Sequence, residues 1–133
     1  MNKYIVFSID DVSDPRVMGK FLHHMDVAQA MGMLKGKMVS CIGSYKGELE
    51  PSFLVTYEDF DNIVAPSGYC DGQESFLQVD VGHKGRQHAS LLYVDTQLVP
   101  LGELKSVPKG KALKCEAWTY RMDTGEYYTT EGV

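Results

Sequence analysis

The chain has 133 residues, 44% of them hydrophobic and 23% charged, enough apolar mass for one domain (1–133) with a real core. Eighteen acidic against 13 basic residues leave a net charge of −5. That balance excludes a protein tracking phosphates with a basic face, and it is too mild for a carboxylate-dense nucleic-acid mimic. Three cysteines, Cys41, Cys70 and Cys115, an odd number without paired spacing, fit a reducing compartment. No apolar run reaches membrane-spanning length, and Tyr4-Ile5-Val6-Phe7 is followed at once by Asp10-Asp11, unlike a signal peptide. A cytoplasmic protein with neither membrane nor nucleic-acid partners is expected.

Residues 3–9 are a short β-rich run and read as a first strand. Ser13-Asp14-Pro15 offers a capping oxygen and then a proline where its missing N–H costs nothing, which starts a helix. Met18, Phe21, Leu22, Met25 and Ala28 keep helical spacing, so the helix is expected to run to about Leu34 and stop at Gly36. Residues 38–42 read as a second strand, 43–51 as a polar turn, and alternating Phe53, Val55 and Tyr57 as a third strand. A short, acid-started helix over 58–64 ends before Pro66, and after a glycine-containing loop residues 76–81 form a fourth strand. Residues 89–95 add a strand, and Trp118 and Tyr120 pair with Tyr127 and Tyr128 across the turn at 123–126 as a C-terminal hairpin. The order is β-α-β-β-α-β, which predicts an α+β, ferredoxin-like sheet with added C-terminal strands. Two helices on one side leave the other sheet face bare, so the unit is expected to oligomerise.

Few constellations carry chemistry. His23 and His24 are helical neighbours and point to different faces, while His83 and His88 lie near glycines without cysteine partners at zinc spacing. No metal site or cofactor is expected. There is no Gly-x-Ser-x-Gly elbow, and mid-strand Cys41 reads as a core thiol. Residues 82–88 form a basic, glycine-bearing loop whose Arg86, Gln87 and His88 can hold a carboxylate or ribose, or simply be a solvated hairpin loop. The stretch 43–52 places a phenol, Tyr45, and two carboxylates, Glu48 and Glu50, between strands. Pro51 biases Glu50 towards extended backbone, which would put Glu48 and Glu50 on one face and Leu49 on the other. A charged turn remains the alternative.

Gly43-Ser44-Tyr45-Lys46, followed by a glutamate just before a β-rich strand, resembles the short bacteriophage S-adenosylmethionine (SAM) lyases, formerly called SAM hydrolases. His24-Met25, His88 before an apolar strand ending in Tyr93, and Val107-Pro108-Lys109-Gly110 follow in the same order as in those enzymes. The resemblance implies a PII-like trimer with active sites between subunits, depleting the phage host's SAM in the host cytoplasm as an anti-restriction device. It assigns the family's tyrosine to Tyr45 and its glutamate to Glu50. The segment between the two is shorter here, so Glu48 competes for that role. Gln87 is the match for a family glutamine, and Ser44, Arg86 and His88 join Glu48 and Gln87 as substrate-binding candidates.

In a lyase of this kind, SAM's own carboxylate attacks its γ-carbon, giving methylthioadenosine and homoserine lactone without an enzymic nucleophile or a metal. The protein has to align the reacting atoms. A glutamate suits the ammonium, as base or anchor, and a tyrosine suits a carboxylate or a cation. Two other readings stand beside this one: a PII-like nucleotide-binding module without catalysis, and a phage anti-defence protein acting by contact through its aromatic C-terminal hairpin.

Overall fold

The computed structural model describes residues 2–131. Strand β1 (Asn2–Phe7) leads to helix α1 (Pro15–Ala30), where Asp14 caps the first turn by accepting the Arg16 N–H at 2.9 Å. The helix ends at Met31, short of the expected stop, and Phe21, Met25 and Ala28 form its buried stripe. Strands β2 (Val39–Tyr45) and β3 (Glu48–Thr56) form a hairpin through Lys46 and Gly47, at φ of 50° and 83°. Two successive positive φ values match strand twist, and glycine accepts the second at no steric cost. The stretch expected to be a polar turn is therefore mostly strand.

Helix α2 (Tyr57–Asp59) runs on through a wide π turn, Phe60–Val64, and a tight 3₁₀ turn, Ala65–Ser67. Then come β4 (Ser75–Val81), β5 (Gln87–Tyr93), β6 (Leu98–Val107), the one-turn α3 (Lys109–Ala112), β7 (Ala117–Arg121) and β8 (Glu126–Thr129). The expected C-terminal hairpin is β7–β8, with Tyr120 opposite Tyr127 and Trp118 edge-on to Tyr127 at 5.3 Å.

The eight strands close into an antiparallel barrel in the order β1-β3-β2-β7-β8-β6-β5-β4, and β4 returns to β1. This corrects the expected α+β, ferredoxin-like, PII-like sheet. The early strands and helices occur roughly where the sequence placed them, but they are part of a closed wall. Strand β6 was not anticipated, because Pro100 and Gly102 interrupt its pattern and a register shift near Ala89 and Ser90 absorbs them. It pairs with β5 on one side and β8 on the other, which joins the C-terminal hairpin to the rest. Closure turns the sheet face opposite the helices inward as the lumen, so the argument for oligomerisation from that face falls with it.

Closure gives each strand of this wall an inner and an outer side. On β1, Ile5 and Phe7 point outward under α1, where Phe7 meets the rings of Phe21, Phe53 and Phe60 at 6.0, 5.7 and 5.6 Å. The main apolar core thus lies between the barrel's outer wall and the helices, leaving the lumen to other side chains. Asp59, 2% exposed, ties the α1–β2 connection to this core by accepting the Lys35 and Gly36 N–H groups at 2.8 and 2.9 Å. Asp59→Ala is expected to lower stability in urea denaturation by roughly 2–4 kcal/mol, since it strands two amide donors. Asp61→Ala, at an exposed neighbour, is expected to change it by no more than about 0.5 kcal/mol.

Candidate active site

The β2–β3 hairpin outreaches the barrel wall. Strand β1 pairs only with Phe53–Thr56 of β3, so residues 48–52 have β2 as their sole strand neighbour. Within the hairpin Tyr45 is opposite Glu48, Ser44 opposite Leu49, and Gly43 opposite Glu50. Directly opposed residues share a face and alternate ones return to it. Tyr45, Glu48 and Glu50 therefore lie on one face, as extended backbone before Pro51 implies. Ser44 falls on the other face and is buried at 8% exposure, away from the carboxylates.

Among the described residues Glu48 and Glu50 are exposed and form neither a hydrogen bond nor an ion pair, so both carboxylates are free for a ligand. Tyr45 is 60% exposed, with the Lys46 ammonium 5.3 Å from its ring centre. Lys46 also reaches Glu116 at 3.7 Å, in the segment that enters β7.

The carboxylate face continues across the sheet. Gly43 is opposite Thr119 on β7, and Thr119 is opposite Tyr128 on β8. Thr119 and Tyr128 border a cavity of about 300 Å³ inside the barrel. Its walls are mostly apolar, from Val6, Val39, Leu54, Leu77, Val79 and Leu104, with polar groups on Gln87, Thr119 and Arg121. Eight strands give a lumen that side chains just fill or that holds one small ligand, and the valines here leave it open.

Of the basic-loop candidates only Gln87 borders the cavity, opposite Leu104. His88, the next residue, is exposed and takes the outer side, opposite Asp80 and Glu103. Arg86 is exposed in the loop before β5. The structure brings Tyr45, Glu48 and Glu50 together on one face and places Gln87 at the cavity, which none of those three lines; it does not bring in Ser44, Arg86 or His88.

Thr119 and Arg121 escaped sequence reasoning, which named Gly43 only as the start of a motif and Tyr128 only as a hairpin aromatic. Thr119, Arg121 and Tyr128 come near Glu50 only through the β2–β7 pairing, which joins residues more than 70 apart, whereas Gly43 is opposite Glu50 within the hairpin; the only local signal for the rest was the alternation in β7. The Arg121 guanidinium is engaged by Asp123, at 3.0 and 2.7 Å, and this hydrogen bonding holds the Asp123 carboxyl below its ordinary value. Burial pushes the lumen thiol of Cys41 up to about 11 and that of Cys70 up to about 12, which keeps both protonated at neutral pH and poor as nucleophiles. Among the described residues no group of three or more His, Cys, Asp or Glu side chains could hold a metal ion, and no helix is long and apolar enough to cross a membrane.

A family model described as the S-adenosylmethionine lyase family matches residues 20–131. No curated protein matches the chain.

The segment beside Tyr45 is pinned from the far end of the chain. Tyr45 is opposite Ala117, and the Glu131 carboxylate accepts the N–H groups of Ala117 and Glu116 at 2.7 and 2.9 Å. These bonds, Ala117's first, hold the Glu131 carboxyl below its ordinary value. A depressed carboxyl contributes stability above its unfolded value and loses it as pH falls through the folded one. The stability gap between wild type and Glu131→Gln is therefore expected to be full at pH 7 and to close as pH falls below about 4.5, when urea midpoints are compared across pH.

Proposed function

The chain belongs to the S-adenosylmethionine lyase family, and from that premise we propose that it cleaves SAM into methylthioadenosine and L-homoserine lactone, with Glu50 and Tyr45 positioning the methionine tail. The observation carrying this reading is the shared face of Tyr45, Glu48 and Glu50, with both carboxylates unengaged.

An oxygen of the substrate's α-carboxylate attacks the γ-carbon, and the bond from that carbon to sulfur breaks. The electron pair goes to sulfur, so the sulfonium becomes a neutral thioether and the carboxylate becomes the lactone ester. The ammonium keeps its proton, no water enters, and the charges balance. Since the nucleophile and the leaving group both belong to the substrate, the protein's contribution is alignment and exclusion of water. Glu50 holds the ammonium by a charge-assisted hydrogen bond, which fixes the rotation that points the carboxylate at the γ-carbon. Tyr45 donates its hydroxyl to that carboxylate or places its ring beside the sulfonium. Glu48, opposite Tyr45, adds negative potential for a substrate with two positive centres.

The wider reading is a protein of the bacteriophage kind that depletes SAM in the host cytoplasm and so starves SAM-dependent restriction. It acts as a homotrimer with sites between subunits. The exposed Tyr45 and Leu49, 60% and 65% accessible on a ribbon with one free edge, support association there. Sedimentation of the purified chain at the mass of a monomer would remove that part alone.

Turnover of SAM by purified variants tests the residue roles. Glu50→Gln is expected to lower kcat/KM by roughly tenfold to a hundredfold, the worth of one charge-assisted hydrogen bond, with folding unchanged. Tyr45→Phe is expected to lose about tenfold or less. Full activity in Glu50→Gln together with loss in Glu48→Gln would move the anchor to Glu48.

A further inference from the structure

We infer that the barrel lumen is a second binding site, which takes a small aliphatic monocarboxylate. Its chain lies among the lumen valines, and its carboxylate stays at a cationic mouth on the barrel end away from Tyr45, Glu48 and Glu50. This site does not rest on the SAM-cleaving reading, since none of those three residues lines the cavity.

The topology sorts charge between the two ends of the barrel. Strand β2 starts two residues after Lys37 and ends at Tyr45 in the hairpin, so Lys37 and the exposed carboxylates stand at opposite ends. Strand β7 is antiparallel to β2 and ends at Arg121, which brings Arg121 to the Lys37 end. Four antiparallel steps separate β5 from β2, so the two run the same way and Gln87, at the start of β5, joins them. Residues 82–86, which connect β4 to β5, turn at this end too, and His83, Lys84 and Arg86 are exposed there. The basic loop singled out in the sequence therefore belongs to this mouth and not to the carboxylate hairpin.

The lining of the cavity has the same sign. Among the described residues its two charged members, Lys37 and Arg121, are both cations. Lys37 forms no ion pair among those residues, and it is exposed although it lines the cavity, so the lumen meets solvent beside it. Arg121 gives Nε and Nη2 to Asp123 at 3.0 and 2.7 Å and keeps Nη1. The carboxylates nearby on the β7–β8 hairpin are spent, Asp123 on Arg121 and Glu126 on the hydroxyls of Ser106 and Tyr128 at 3.0 and 3.1 Å. The half-buried Gln87 side chain makes no hydrogen bond among the described residues. An ammonium, a guanidinium N–H and an amide N–H thus stand at one mouth without an anionic acceptor of their own, and a carboxylate supplies one.

The interior selects the rest of the ligand. Val6, Val39, Leu54, Leu77, Val79 and Leu104 offer methyl groups and no partner for a buried polar atom, so a polar body would lose its hydration there whereas each methylene gains by burial. The volume is about 300 Å³, at the lower end for small-molecule pockets. At about 30 Å³ per heavy atom, the share of one water in the liquid, it holds roughly ten non-hydrogen atoms. An unbranched eight-carbon acid has that size.

The probe is octanoate, with octanamide as its uncharged counterpart and Lys37→Met as a variant at an exposed position. Calorimetry is expected to show one octanoate bound per wild-type chain, and affinity lower by roughly tenfold both for octanamide on wild type and for octanoate on Lys37→Met, the worth of one charge-assisted hydrogen bond. Placement is read separately, by isotope-filtered NMR on wild type with ¹³C-labelled valine methyls. Octanoate protons are expected to give NOEs to Val6, Val39 and Val79, and none to the core Val64 or the exposed outer Val94. No binding of octanoate, equal affinity for octanamide, or NOEs to Val94 in place of the lumen valines would each overturn the site. Octanoate that competes with SAM and gives no lumen NOE would place the acid at the hairpin and overturn it as well. SAM left intact by a protein that shows the lumen NOEs would keep this site and sink the lyase reading alone.

Discussion

Strand β8, four residues long, is the constraint on which the rest of the molecule depends. It pairs with β7 on one side and β6 on the other and so joins the two edges of one continuous sheet, β7-β2-β3-β1-β4-β5-β6. Without it the strands would be an open sheet with two edges, and there would be no lumen. Its side chains serve both surfaces that closure creates. Tyr128 borders the cavity, while Tyr127 packs outside, tilted against Tyr120 at 4.6 Å and edge-on to Trp118 at 5.3 Å. Aromatic pairs of this kind contribute about 0.5–1.5 kcal/mol each beyond buried area, a useful supplement for so short a strand.

Closure also explains why the apolar core and the candidate site do not compete for space. The phenylalanines of β1, α1 and β3 pack outside the wall. Smaller side chains line the inside, so the lumen is left open while stability resides elsewhere. The hairpin that outreaches the wall then carries carboxylates on the lumen-facing side of its ribbon, where water still hydrates them.

Much of this was legible locally and little of it globally. Asp14 and Pro15 announced α1, the aromatic alternation announced β7–β8, and Pro51 announced that Glu48 and Glu50 share a face. Each signal lies within a few residues of what it specifies. The π turn of α2 and the early end of α1 lie where helical spacing continues in sequence but tertiary packing ends the regular helix. Strand β6 was missed because proline and glycine are strong local breakers, yet the two long strands' pairing outweighs them through a bulge. Missing it turned a barrel into an open sheet. The candidate site divided the same way: the shared face of Tyr45, Glu48 and Glu50 was readable, whereas Gly43 and Thr119 become neighbours only once β7 lies beside β2.

In the proposed lyase reaction the substrate's own carboxylate, and not water, displaces sulfur. Incubating the purified protein with SAM in ¹⁸O-water and following products by liquid chromatography and mass spectrometry tests it most directly. Intramolecular attack gives methylthioadenosine together with homoserine lactone free of label, formed before any homoserine, and later homoserine labelled only in its carboxylate. Homoserine labelled in its γ-hydroxyl from the first turnover would show attack by water and contradict the lyase mechanism, and SAM left intact by the folded protein would contradict cleavage altogether.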